Sequence, residues 1–168
     1  LSAQNTAETN FDVVSSGATV IFSGVISGSS SSIKKIGPGT VVFSGANTYT
    51  GTTEVNAGKL TIQSSGTAGT GALTIASGAT LESSVSLSNS SITVNGTFNV
   101  TENIAINSLT INSGATLTIS AGKTLTISSG SALTLNQKIS LGTGNIVLAG
   151  SATMTESSTN YIITNSNG

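Results

Sequence analysis

The sequence has no cysteine, no histidine, no tryptophan and no arginine, and only 7% of its 168 residues are charged. Without Cys or His there is no Cys/His zinc site, no usual haem ligation, no thiol nucleophile and no Ser-His-Asp triad. Five Lys stand against six Asp and Glu, for a formal net charge of −1. A nucleic-acid surface needs a basic stripe to displace counterions, and none is available. No apolar run approaches the roughly 20 residues of a membrane-spanning helix, so no transmembrane segment is expected. Four Phe and two Tyr are too few for a thick globular core, although they suffice for a narrow tube filled by Val, Ile and Leu.

What is present is small and polar: 30 Ser, 27 Thr, 15 Asn and 20 Gly make up more than half of the chain. Such a composition would suit disorder, but 36% of residues are hydrophobic and the mean hydropathy is positive. The Val, Ile and Leu arrive in regular short runs, for which a disordered chain has no reason. The lack of Cys fits bacterial proteins exported unfolded better than disulfide-dense eukaryotic secreted domains. The opening Leu1-Ser2-Ala3-Gln4 reads as a signal-peptide remnant at 1–3, leaving one segment over 4–168. Sequons at Asn89, Asn95 and Asn99 are what chance provides in so Asn-, Ser- and Thr-rich a chain.

One unit recurs, an apolar-Thr-apolar triplet followed by small polar residues around a Gly. It occurs as Leu60-Thr61-Ile62, Leu73-Thr74-Ile75, Ile92-Thr93-Val94, Leu109-Thr110-Ile111, Leu117-Thr118-Ile119, Leu125-Thr126-Ile127 and Leu133-Thr134-Leu135, the last four in steps of eight. Alternation within a triplet is a strand signature, with Leu and Ile inward and Thr outward. An antiparallel sandwich would need hairpin turns, yet most corners read Ser-Gly-Ala or Ala-Gly-Lys. An all-β parallel solenoid explains more. Coils of roughly 21 residues, about 4.8 Å apart, would give about eight coils and a rod about 38 Å long. Stacked coils also account for the scarcity of charge, because like charges would repel at strand-pairing distance while Ser, Thr and Asn form hydrogen-bonded ladders. The single proline, Pro38, falls in a Gly-Pro-Gly corner where no ladder donor is needed.

The stretch 37–62, GPGTVVFSGANTYTGTTEVNAGKLTI, resembles the autotransporter-associated β-strand repeat, or passenger-associated transport repeat. The matching positions are Gly37, Gly39, Phe43, Gly45, Asn47, Tyr49, Thr50, Gly51, Thr53, Val55, Gly58, Leu60 and Ile62. Residues 20–28 look like a degenerate copy, and the later coils are similar in style only. The resemblance implies a right-handed parallel β-helix in the passenger of a bacterial surface or secreted protein, where folding outside the cell helps draw the chain across the outer membrane. No barrel or anchoring domain is recognisable in the chain, and residues 151–168 read as a further coil or an edge meant for a partner.

Acid–base chemistry could come only from Glu8, Asp12, Glu54, Glu82, Glu102 and Glu156. These are scattered singly, so they read as solvated surface charges rather than the paired carboxylates of a carbohydrate-active enzyme. Lys34-Lys35 could touch an anionic lipid or glycan, but two Lys in a polar loop read more simply as solubilisers. Asn47 and Tyr49 could form a sugar-stacking spot. The structural reading is stronger: Asn47 tolerating a left-handed turn, Gly51 permitting positive φ, and Tyr49 packing across the corner. Thr116-Leu117-Thr118 and Thr124-Leu125-Thr126 suggest an ice-binding face only if they stack on one flat side, and a step of eight places them on different sides. Nothing near Phe11 or Ile162 reads as a polar cap. The expectation is a non-enzymatic extracellular or cell-surface rod that needs no cofactor or metal. Its partners would be a host-cell, glycan or matrix surface, or other copies of itself. The alternatives are a self-assembling fibre subunit, an enzyme fragment or an ice-binding module.

Overall fold

The computed structural model describes residues 8–137, 139–156 and 164–165. The signal-peptide reading at 1–3 and the cap reading at Ile162 lie outside them. Every strand pairing is parallel, and no helix occurs among the described residues. None is therefore long and apolar enough to cross a membrane. The chain winds through about seven turns, against the about eight expected from a coil of roughly 21 residues.

Each turn has three sides. The first face stacks β1 (Glu8–Asp12), β3 (Ser32–Ile36), β5 (Thr53–Val55), β7 (Leu73–Ile75), the second half of β9 (Leu87–Val94), the second half of β11 (Ile104–Ile111), β14 (Ala132–Leu135) and β17 (Thr153–Glu156). The second face stacks β2 (Thr19–Phe22), β4 (Thr40–Phe43), β6 (Lys59–Ile62), β8 (Thr80–Ser83), β10 (Thr97–Val100) and β12 (Thr116–Ile119). Beyond it, β15 (Ser140–Gly142) pairs with β18 (Thr164–Asn165). The third face carries the first halves of β9 and β11, then β13 (Thr124–Ile127) and β16 (Asn145–Leu148). In earlier turns its place is taken by irregular segments bonded turn to turn, Thr48 N–H to Ile26 O and Thr70 N–H to Tyr49 O. Partners in successive turns are between 17 residues apart, as for Thr80 and Thr97, and 24, as for Leu109 and Leu133.

The steps of eight resolve into geometry. Leu109 lies on the first face, Leu117 on the second, Leu125 on the third and Leu133 on the first again. All four are buried, while Thr118 between them is exposed. Alternate residues of the strands from β3 to β14 thus fill one continuous core, which runs from Val13 to Leu141. Each fully buried Val, Leu or Ile contributes about 1.5–3 kcal/mol, so a thin tube can be stable without a thick core. Along the first face two inward files run the length of the rod. One passes through Thr9, Ile33, Thr53, Leu73, Ile92, Leu109, Leu133 and Met154, the other through Phe11, Lys35, Val55, Ile75, Val94, Ile111, Leu135 and Glu156.

Candidate functional site

The family-like segment forms one turn and the start of the next, from the corner at Gly37 through β4, the third-face segment at 47–50, β5 and β6. Phe43 is buried and stacks edge-on with Phe11 and Phe22, with ring centroids 6.0 and 6.1 Å away. Val55, Leu60 and Ile62 fill the core.

The polar residues of the segment tie turns together. Asn47 is 5% exposed. Its Oδ1 accepts the Ile26 N–H at 2.8 Å in the preceding turn, and its Nδ2 donates to Thr67 O at 2.7 Å in the following one. Thr67 Oγ1 returns a bond to Asn47 O at 2.6 Å. One amide therefore spans three turns. Tyr49 is fully buried, and its hydroxyl lies 2.6 Å from Thr53 Oγ1. Thr53 passes its own proton to Ala68 O at 2.9 Å, so Tyr49 is the donor to Thr53. Burial raises the Tyr49 hydroxyl far above its ordinary pKa. A ring enclosed in this way is not available for stacking on a sugar.

Two expectations about this turn are corrected. Neither Asn47 nor Gly51 has positive φ. Asn47 is used for its two-ended hydrogen bonding. Gly51 is used for close approach, because a Cβ there would stand 2.1 Å from Ser31 O. The left-handed positions are Gly37 and Gly58, at φ 74° and 63°.

Lys34 and Lys35 do not lie in a loop but in β3, and alternation sends them to opposite sides. Lys34 points outward between Glu8 at 2.6 Å and Glu54 at 3.6 Å. The hydrogen bond to Glu8 chiefly raises its pKa, with Glu54 adding attraction and desolvation opposing both. Lys35 points inward and is 1% exposed, so the solubiliser reading fails for it. Its Nζ donates to Ile36 O at 2.9 Å, Gly37 O at 2.7 Å and Ala57 O at 3.1 Å, which uses all three ammonium protons. Burial lowers its pKa, and nearby Asp12 partly restores it. The sequence signal was available in the spacing Ile33-Lys34-Lys35-Ile36, but alternation by itself does not say which lysine is inside.

The remaining acids are dispersed. Glu82 pairs with Lys59 at 2.9 Å and Glu102 with Lys123 at 2.6 Å. Glu156 is exposed at an inward position of β17. No group of three or more acids, or of other metal-ligating side chains, occurs among the described residues. Glu8 and Glu54 approach one another only across Lys34. The Thr-x-Thr units at Thr116–Thr118 and Thr124–Thr126 lie in β12 and β13, on different faces. Asn89, one of the three sequon positions, is 1% exposed and spends both Nδ2 protons on Ala68 O and Gly71 O, so it cannot carry a glycan in the folded chain.

Residues 33–62 match the family model described as Passenger-associated-transport-repeat. This segment is similar to a passenger-associated transport repeat. The match begins four residues before Gly37 and so takes in β3 with its inward Lys35. Comparison with curated proteins and with solved structures finds no match to either. The repeat brings together no nucleophile, base and acid. It consists of turn-to-turn locks at Lys35, Asn47 and Tyr49–Thr53 around a packed interior.

Proposed function

We propose that this chain is a length of passenger solenoid from an exported bacterial protein, working as a non-enzymatic, adhesin-like rod that holds surfaces away from the cell. The observation that carries the reading is the passenger-associated transport repeat at 33–62, folded as a turn continuous with parallel turns on both sides. With no Cys in the chain such a fold waits on no disulfide, so it can assemble as the chain emerges from a membrane. The rod's sides would meet a host-cell, glycan or matrix surface through Ser, Thr and Asn side chains.

The test is to place residues 1–168 in the passenger position of an autotransporter barrel in a Gram-negative host and treat intact cells with protease. A protease-resistant fragment released from the cell surface is the expected result. A chain retained and degraded in the periplasm, or a purified rod that cleaves polysaccharide, would overturn the reading.

A further inference from the structure

The corner between β9 and β10 consists of Asn95 and Gly96, and each is there for a separate structural reason. Asn95 is half-buried and is a rung of a side-chain ladder. Asn112 Nδ2 donates to its Oδ1 at 2.8 Å, and Asn136 Nδ2 donates to Asn112 Oδ1 at 2.7 Å. Gly96 is buried, and a Cβ there would stand 2.2 Å from Ala76 O and 2.4 Å from Ala79 O, so no larger residue fits. Stacking therefore sets side by side two residue types whose junction is chemically labile. The amide carbon of an asparagine lies within ring-closing reach of the next residue's nitrogen, and glycine has no side chain to hinder the attack.

The folded corner holds that attack off. Asn95 N–H donates to Ile75 O at 2.8 Å, Thr97 N–H to Ala79 O at 2.9 Å, and Gly96 O accepts the Thr116 N–H at 2.8 Å. Among these ties only the bond from Asn112 touches the side-chain amide that would react. We propose that Asn95–Gly96 is a self-modification site gated by local opening of this corner, with Asn112 as the positioning residue that keeps it closed. On opening, the Gly96 nitrogen attacks Cγ of Asn95. The new N–Cγ bond replaces the Cγ–Nδ2 bond, and Nδ2 leaves as ammonia with the proton from the Gly96 nitrogen. Water then opens the cyclic imide at either carbonyl, leaving an aspartyl or an isoaspartyl residue at position 95. The isoaspartyl product lengthens the backbone by an atom. The shortest described coils, Thr80 to Thr97 and Ile92 to Leu109, are 17 residues each and both run through this corner, so they have no slack to take up the extra length. Either product also brings a carboxylate into a half-buried place, where desolvation opposes its charge. A coil that has opened and reacted cannot restack as before, so the opening is recorded irreversibly. This inference does not rest on the passenger reading.

The experiment is to hold folded residues 1–168 in mildly alkaline buffer for weeks. Conversion at Asn95 is followed by mass spectrometry of the peptide between Lys59 and Lys123, with isoaspartate assayed in the same peptide. Asn112→Ala should convert at Asn95 about fivefold faster than wild type, the factor for a lost hydrogen bond. Asn136→Ala, which takes a bond from the same ladder without touching Asn95, should convert at the wild-type rate. In denaturing urea all three should convert equally fast, and faster than when folded. An Asn112→Ala variant that converts no faster than wild type would overturn the proposal. So would equal acceleration by Asn136→Ala, or a wild type that converts as fast folded as in urea. Should Asn112→Ala not fold, the wild type decides: conversion must already rise in urea too dilute to unfold the rod by circular dichroism, and conversion that appears only with global unfolding overturns the local gating.

Discussion

The ring of Tyr49 occupies the space in which residue 69, one turn later, would carry its side chain. A Cβ on Gly69 would stand 2.6 Å from Cε2 of Tyr49, and Gly69 has φ of 66°. The tyrosine that marks the repeat is therefore matched by a glycine outside the repeat. Gly69→Ala should cost about 2–4 kcal/mol, combining a left-handed residue with an overpacked interior. Combining it with Tyr49→Leu should cost less than the sum of the single changes, since one overlap is removed. Chemical denaturation of the four proteins as a double-mutant cycle checks this, and strict additivity would contradict the contact.

The Asn47 side chain bonds to the turn before it and to the turn after it. Asn47→Ala should destabilise the rod by about 2–3 kcal/mol, because Ile26 N–H and Thr67 O are both left without their partner in a buried setting. Asn47→Asp should be nearly as damaging, since a carboxylate can accept from Ile26 but cannot donate to Thr67. Equilibrium unfolding in urea gives both values.

Lys35 should show its burial through pH. Its folded pKa lies below its unfolded one, so the folded chain sheds a proton more easily than the unfolded chain. Stability attributable to Lys35 must then rise as pH climbs from the folded value toward the ordinary lysine value of about 10.4, and fall again as pH drops through that window. Lys35→Met removes this dependence and leaves three carbonyls without a donor, at a cost of about 1–3 kcal/mol near neutral pH. The difference between wild-type and Lys35→Met melting curves across alkaline pH isolates the effect from the other lysines.

The outward charges should behave differently. Lys34 lies between Glu8 and Glu54 on a solvent-facing side. Glu54→Gln should leave the urea unfolding midpoint within experimental error of wild type, and at moderate salt indistinguishable from it. A clearly lowered midpoint would mean that Lys34 carries weight the geometry does not assign to it.

The asparagine ladder makes a further test of turn-to-turn bonding. Asn112 Nδ2 donates to Asn95 Oδ1 at 2.8 Å, and Asn136 Nδ2 donates to Asn112 Oδ1 at 2.7 Å. Asn112→Ala breaks both bonds and should lower stability by about 1–2 kcal/mol, whereas Asn95→Ala breaks one and should cost about half as much. Thermal melting of the two variants compares them directly.

The sequence by itself determined that the chain is a parallel solenoid and how its triplets are distributed. A period of two puts Leu109, Leu117, Leu125 and Leu133 inside wherever a strand forms, and a step of eight carries each to a new side. The turn at 37–62 was legible because its Asn-x-Tyr-Thr-Gly run is specific. The tertiary structure alone decided which of two adjacent lysines is inside, why Gly51 is glycine, and that Tyr49 needs Gly69. Each of these depends on what lies one turn above or below. The register between turns drifts from 17 to 24 residues with the length of the corners, so vertical neighbours cannot be counted off along the chain and are set only when the coils close on one another.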